Sequence, residues 1–183
     1  MLSKKYLFFV LSLFVSLPAT AQIYETQAGQ AEFTGSTPLF SFEGTSDSLN
    51  GSVNLADSTI NFQLPVKSID TGNGKRNRDM LEVLEAEKYP LATFKGKIIS
   101  DFNPDTSISQ DVTVKGDFAV HGVSRTLEIP GTLQIDKQGL RVEASWSQKL
   151  TAYDIKPPSV LFYKMKDEHE VRLNAFLKTK NNN

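Results

Sequence analysis

Along most of its length this chain alternates apolar and polar residues one by one. Leu49, Gly51, Val53 and Leu55 are separated by polar residues, and so are Ile60, Phe62, Leu64 and Val66. The same parity runs through Val112, Val114, Gly116, Phe118 and Val120. It returns in Leu127 and Ile129, in Leu133 and Ile135, in Leu140, Val142, Ala144 and Trp146, and in Val171, Leu173, Ala175 and Leu177. Successive side chains of a strand point to opposite faces, so each stretch puts its apolar set on one side. The other side carries Ser, Thr, Asn, Asp, Lys and Gln and faces water, which is the signature of an antiparallel sheet.

Turn chemistry separates the runs: Gly44 to Ser48, an Ala56-Asp57-Ser58 turn, Asn103-Pro104-Asp105, His121-Gly122, Pro130-Gly131 and Lys137-Gln138-Gly139. Many short strands with regular turns predict an all-β sandwich or barrel. Asn50-Gly51 has the composition of a hairpin turn, but unbroken parity from Leu49 to Leu55 predicts continuous strand. No repeat or linker divides the chain, so residues 31–180 are expected to form one domain, with residues 22–30 a loose lead-in.

Residues 1–21 read as a signal peptide. Lys4 and Lys5 precede an apolar core, Tyr6 to Leu17, which is too short to span a bilayer comfortably, and Ala19-Thr20-Ala21 is a small-x-small cleavage pattern. The expectation is a soluble periplasmic protein without stable membrane insertion. There is no cysteine, and roughly 160 mature residues bury enough surface for one core without disulfides. Formal net charge is −1, or −3 once Lys4 and Lys5 are removed; this balance does not favour nucleic acid or an anionic membrane as a partner.

One stretch breaks the pattern, KRNRDMLEVLEAEKYPLATFKG at 75–96. Asp79 followed three residues later by Glu82 resembles a capping box, and Met80, Val83 and Leu84 follow helical spacing. Tyr89-Pro90 ends the run, since a residue before proline avoids the α region. A helix over about residues 79–88 is predicted. It is too short to persist alone, so it must dock its apolar face on the sheet or across an open barrel end. Lys75, Arg76 and Arg78 precede it, either as solvated loop charges or as a basic rim for a polar head, which an Arg fork suits.

Other residues carry two readings. Inward Gly51 and Gly116 mark a bend or leave room for a ligand. Phe94, Phe118, Trp146 and Phe162 are plain core or ligand wall. Val160 to Tyr163, four apolar residues after Pro157-Pro158, suggest a lip buried on both faces or a flap at a cavity mouth. Enzyme signatures are missing: no Cys nucleophile, no phosphate loop, no G-x-S-x-G elbow, and His121 and His169 are not at metal-ligand spacing. Asp167-Glu168-His169-Glu170 reads as a solvated charge run rather than a metal cluster. His121 reads as a turn histidine bonded to backbone.

SIDTGNGKRNRDMLEVLEAEKYPLATFKG (68–96) resembles the most recognisable segment of the YceI-like lipid- or polyisoprenoid-binding family: a Thr-Gly-Asn turn, an Arg-Asp element, a short helix and Tyr-Pro-x-x-x-Phe. VKGDFAVHGVSRTLEIPG (114–131) is similar to its second marker, and LTAYDIKPPSVLFYKMKDEHEVRLNAFL fits its C-terminal part, so the likeness runs from about Phe33 to Leu177. The matching positions are Thr71, Gly72, Asn73, Arg78, Asp79, Pro90, Phe94, Gly116, His121 and Gly122. Many members carry a His after the Arg-Asp pair and a Phe-rich segment where this chain has Met80-Leu81 and Val83-Leu84. Either Arg76 or Arg78 aligns with the family arginine.

The resemblance implies a lipocalin-like antiparallel barrel of about eight strands opening into an apolar pocket, and binding of a long-chain isoprenoid or other amphipathic lipid. The residues expected to meet it are Phe62, Leu64, Arg76, Arg78, Met80, Leu84, Phe94, Gly116, Phe118, Val120, Trp146 and Phe162. No catalytic residue, metal or cofactor is expected, and a homodimer stays open. Two rivals remain: a filled barrel acting through its surface, and a lipid-modifying enzyme. The enzyme would need a polar pair, His121 with Asp117 or Asp79 with an arginine, inside the pocket.

Overall fold

The computed structural model describes residues 22–160 and 162–180; the expected signal peptide and Leu161 lie outside them. Ten strands and one α-helix follow in order: β1 (Ile23–Ser36), β2 (Ser41–Asn54), β3 (Thr59–Pro65), α1 (Gly74–Val83), β4 (Leu91–Ile98), β5 (Gln110–Val120), β6 (Val123–Asp136), β7 (Gly139–Lys149), β8 (Ser159–Val160), β9 (Tyr163–Lys164) and β10 (Glu168–Thr179). Eight of the strands close an antiparallel barrel in the order β1-β10-β7-β6-β5-β4-β3-β2, and β8 with β9 makes a separate two-stranded hairpin. Closure is made by the two ends of the chain: β1 pairs with β2 on one side and with β10 on the other, as in Phe33 opposite Val171.

The alternating residues face inward as expected. Half of the barrel is solid: Leu49, Val53, Ile60, Phe62, Val112, Val114, Leu133, Leu140, Val142, Ala175 and Leu177 meet there with Tyr24. Toward the other end the packing thins. There Phe118, Val120, Tyr153 and Ile155 form a second cluster with Val83, Leu84, Ala92 and Trp146 around them.

Four expectations need correction. Residues 23–30 are not a loose lead-in but the start of β1; their polar composition reflects a wet outer face and a register shift between Glu25 and Gln30, not disorder. Gly44 to Ser48 is not a turn, because β2 runs through it opposite Phe33 to Gly29. Pro130-Gly131 is not a turn either. β6 passes through it, and β7 pairs with β6 only from Gly131 onward, so Pro130 sits where that ladder ends and its missing N–H is tolerated. The helix occupies 74–83 rather than about 79–88. Continuous strand across Asn50-Gly51 agrees with the parity argument.

Two-residue turns set the registers. His121 (φ 55°) and Gly122 (φ 75°) both lie in the left-handed region and connect Val120 to its partner Val123, the geometry of a type I′ hairpin.

Candidate functional site

The helix is placed by the turn before it. Gly72 takes φ 70°, and Asn73 follows in an extended conformation whose side-chain oxygen accepts from the Arg76 N–H at 3.0 Å. Asn73 is therefore the N-cap, and Asp79 sits mid-helix, paired with Lys75 one turn back. The first turn is polar because it projects into water, so apolar periodicity alone began the helix too late. Asn77 locks the turn by accepting from the Thr71 N–H and Oγ1–H and donating to Asp70 Oδ1. That donation and the Gly72 N–H hold the Asp70 carboxyl below the ordinary aspartate range.

The helix ends early because Glu85 turns left-handed, φ 46°. The Ala86 N–H then reaches the Leu81 carbonyl and the Glu85 N–H reaches that of Glu82. This is a Schellman closure with a non-glycine residue at its left-handed position. Beyond it, His121 is held from three sides. Its Nδ1–H donates to the Tyr153 carbonyl at 3.0 Å, its Nε2 lies 3.4 Å from Glu85 Oε1, and its ring meets the Tyr89 ring edge-on. This matches the turn-histidine reading.

Met80, Val83 and Leu84 roof a cavity of about 420 Å³, within the range of small-molecule sites. Its floor is the solid half of the barrel through Leu49, Phe62, Leu64 and Phe94. Its walls include Phe33, Phe42, Ala92, Phe118, Val120, Trp146, Leu150, Ile155, Val171 and Leu173. Phe118 meets both Trp146 and Tyr153 edge-on, with ring centroids 5.8 and 5.5 Å apart. At the helix side Arg76 lies over the Phe42 ring, 4.4 Å from its centroid, and donates to the Thr71 carbonyl.

Polar groups are sparse in this lining. Among the described residues Trp146 Nε1, Gln148 Oε1 and Tyr153 OH are buried without a hydrogen-bond partner, and all three residues belong to the cavity wall. An unmet buried polar group costs about 1–3 kcal/mol. Burial pushes the Tyr153 phenol up, so at neutral pH it is a donor.

Of the expected contact residues, nine line this cavity: Phe62, Leu64, Arg76, Met80, Leu84, Phe94, Phe118, Val120 and Trp146. Three lie elsewhere. Arg78 is exposed on the outer side of α1. Phe162 projects fully into solvent from the β8–β9 hairpin. Gly116 stands opposite Gly96, under the Phe94 ring, so the space over it is taken by that ring. Gly51 is likewise covered by Phe62 of the facing strand.

Neither of the two polar pairs weighed above forms among the described residues. Asp79 pairs with Lys75, and Asp117 accepts from Thr126 on the outer face. Among the described residues no group of three or more His, Asp or Glu is arranged to hold a metal ion.

His169 departs from the expected solvated run. It is 6% exposed, stacks on Phe33 and donates from Nε2 to the Lys166 carbonyl, while Asp167 accepts from Thr151 and Glu170 from Arg172. Parity was the available signal: 169 shares the inward phase of Val171, Leu173, Ala175 and Leu177. Burial lowers the imidazole below its ordinary value of 6.5, so the folded protein disfavours the proton that the unfolded chain takes up. The stability that His169 contributes is complete above pH 6.5 and is lost below it, as the unfolded chain protonates first. Melting temperature should therefore fall between pH 7 and pH 5, with a slope of at most about 1.4 kcal/mol per pH unit from this group. His169→Gln should flatten that part of the profile; an unchanged profile would reassign the dependence to other groups.

A family model described as the YceI-like domain matches residues 22–177. Three solved structures show the same fold. The first is a polyisoprenoid binding domain from Saccharophagus degradans implicated in plant cell wall breakdown, at TM-score 0.74 and 16% identity over 87% of this chain and 99% of that one. BcnA of Burkholderia cenocepacia follows at TM-score 0.65 and 17% identity, over 80% and 94%. The YCEI protein of Campylobacter jejuni aligns at TM-score 0.57 and 13% identity, over 98% and 100%. None of the curated proteins compared with the chain matches it.

Proposed function

Because this chain belongs to the YceI-like domain family, we propose that it is a binding protein that holds a long-chain amphipathic lipid in the hollow half of its barrel. An isoprenoid quinone, a polyprenyl lipid or a fatty-acid-like molecule fits this class. The observation that carries the reading is the aromatic and aliphatic cavity of about 420 Å³ between the solid half of the barrel and α1. A similar fold in a polyisoprenoid binding domain adds support. Transfer of each CH₂ from water into such a wall is worth about 0.8 kcal/mol, reduced by the cost of ordering the tail. The Trp146 N–H and Tyr153 O–H are the donors available to a carbonyl or hydroxyl head, and Arg76 is the nearby cation.

The proposed role is storage or carriage rather than catalysis, in the periplasm after removal of residues 1–21. No helix among the described residues is long and apolar enough to cross a membrane.

The test uses the sole tryptophan, which lies in the cavity wall. A quinone with a long isoprenoid tail, added from ethanol, should quench Trp146 fluorescence saturably, and solvent extraction of the native protein should release a long-chain molecule detectable by mass spectrometry. A protein that yields no such molecule and shows no saturable quenching is not this kind of carrier.

A further inference from the structure

We propose that the cavity is built for a single-chain lipid alcohol about fourteen carbons long, whose hydroxyl is bound by Trp146, Gln148 and Tyr153. This rests on the lipid-binding reading above and narrows it to one head and one length. Trp146 Nε1, Gln148 Oε1 and Tyr153 OH are the buried side-chain atoms that lack a hydrogen-bond partner among the described residues. All three residues line the same cavity, and Tyr153 is only 2% exposed. Buried polar groups are nearly always paired in folded proteins, so three orphans on one cavity wall call for a partner from outside the chain.

The three are gathered in one part of the wall. Trp146 and Gln148 lie two residues apart on β7 and so project from the same face. Tyr153 ends the short helical turn Leu150–Tyr153 that follows β7. The Trp146 and Tyr153 rings both meet the Phe118 ring edge-on. Their bonding capacities fit a hydroxyl. An indole N–H only donates, a phenol donates or accepts, and a carboxamide oxygen only accepts. An alcohol oxygen can accept from Trp146 and Tyr153 while its own proton goes to Gln148. A quinone carbonyl or an ether has no proton for Gln148.

Charge disfavours an acid head. Arg76 lies over Phe42 of β2, three strands round the barrel from β7. Lys75 pairs with Asp79, and Arg172 with Glu32. The ladder neighbour of Gln148 is His169, and burial disfavours its protonated form. A carboxylate or phosphate held by this wall would be buried with no cation beside it to offset the lost hydration. Volume sets the length. A methylene fills roughly the 30 Å³ that a water takes in the liquid, so a cavity of about 420 Å³ holds about fourteen carbons. Further carbons of a longer chain would lie outside it.

The experiment titrates delipidated protein with straight-chain primary alcohols of about 8 to 20 carbons, delivered from cyclodextrin, and reads Trp146 emission. Affinity for the free alcohol should rise roughly fourfold per carbon up to about 14 carbons and level off beyond. At that length the methyl ether and the carboxylate should each bind about tenfold more weakly than the alcohol. Tyr153→Phe should weaken alcohol binding about tenfold, yet the melting temperature should not fall, because an unmet buried group has been removed. Gln148→Leu should abolish the preference for alcohol over ether. An ether or carboxylate that binds as well as the alcohol overturns the proposal. So does affinity still climbing for the longest alcohols, or unchanged alcohol binding by Tyr153→Phe. Where long-chain lipids bind without these patterns, the head and length assignment fails alone. Where neither the alcohols nor an isoprenoid quinone bind at all, the carrier reading fails with it.

Discussion

Ala92→Trp should leave a folded barrel that no longer retains a long-chain lipid. Ala92 lies on β4 opposite Leu64, and its methyl faces the hollow beside Phe118 and Val83. The solid half of the barrel, centred on Val53, Leu133 and Leu140, is built by other residues, so an indole at position 92 enters free volume. Each methylene it keeps out of the cavity removes about 0.8 kcal/mol of binding, so excluding two weakens retention by roughly tenfold. Gel filtration with a pre-loaded isoprenoid quinone, beside a thermal melt, reads both effects. Undiminished retention in a folded Ala92→Trp protein would mean that the tail sits somewhere else.

Gly116→Val acts on the frame instead. Gly116 and Gly96 face each other across the β4–β5 ladder. A Cβ at 116 would stand 2.4 Å from the Lys95 carbonyl oxygen and 2.5 Å from Gly96 Cα, with the Phe94 ring 2.8 Å away. Two of those neighbours are backbone and cannot rotate aside, so the strands must separate and Phe94 must leave its place. Overpacking of this kind costs about 3 kcal/mol, which lowers the melting temperature of a chain this size by roughly 10 °C. Because Phe94 lines the cavity, quinone affinity should fall as well. A Gly116→Val protein with wild-type melting and retention would show that this glycine pair is dispensable.

The contrast between the two sites shows how far the residues could be read unaided. Alternation identified Phe62, Leu64, Phe118, Val120 and Trp146 as inward, and all five line the cavity. The same parity marks His169, although the charges beside it point to solvent. Residue type misleads at Phe162: an aromatic run after two prolines suggests a lip buried on both faces or a flap at a cavity mouth, and the short hairpin turns this ring into solvent. Helix α1 was legible as an interruption and its roofing side chains Met80 and Leu84 were found. Its bounds were not, because Asn73 and Glu85 set them through cap geometry rather than hydrophobic spacing.

By itself, the order of side chains determined an all-β, antiparallel chain with a one-sided oily face and a single short helix. Those features follow from period and from turn chemistry, both local. Closure of β1 against β10, and the division of the interior into a solid half and a hollow half, were decided only in three dimensions. The physical reason is that inward residues look alike in sequence whether a partner meets them across the barrel or not. Whether one does depends on how the ends of the chain register and on where α1 comes to rest.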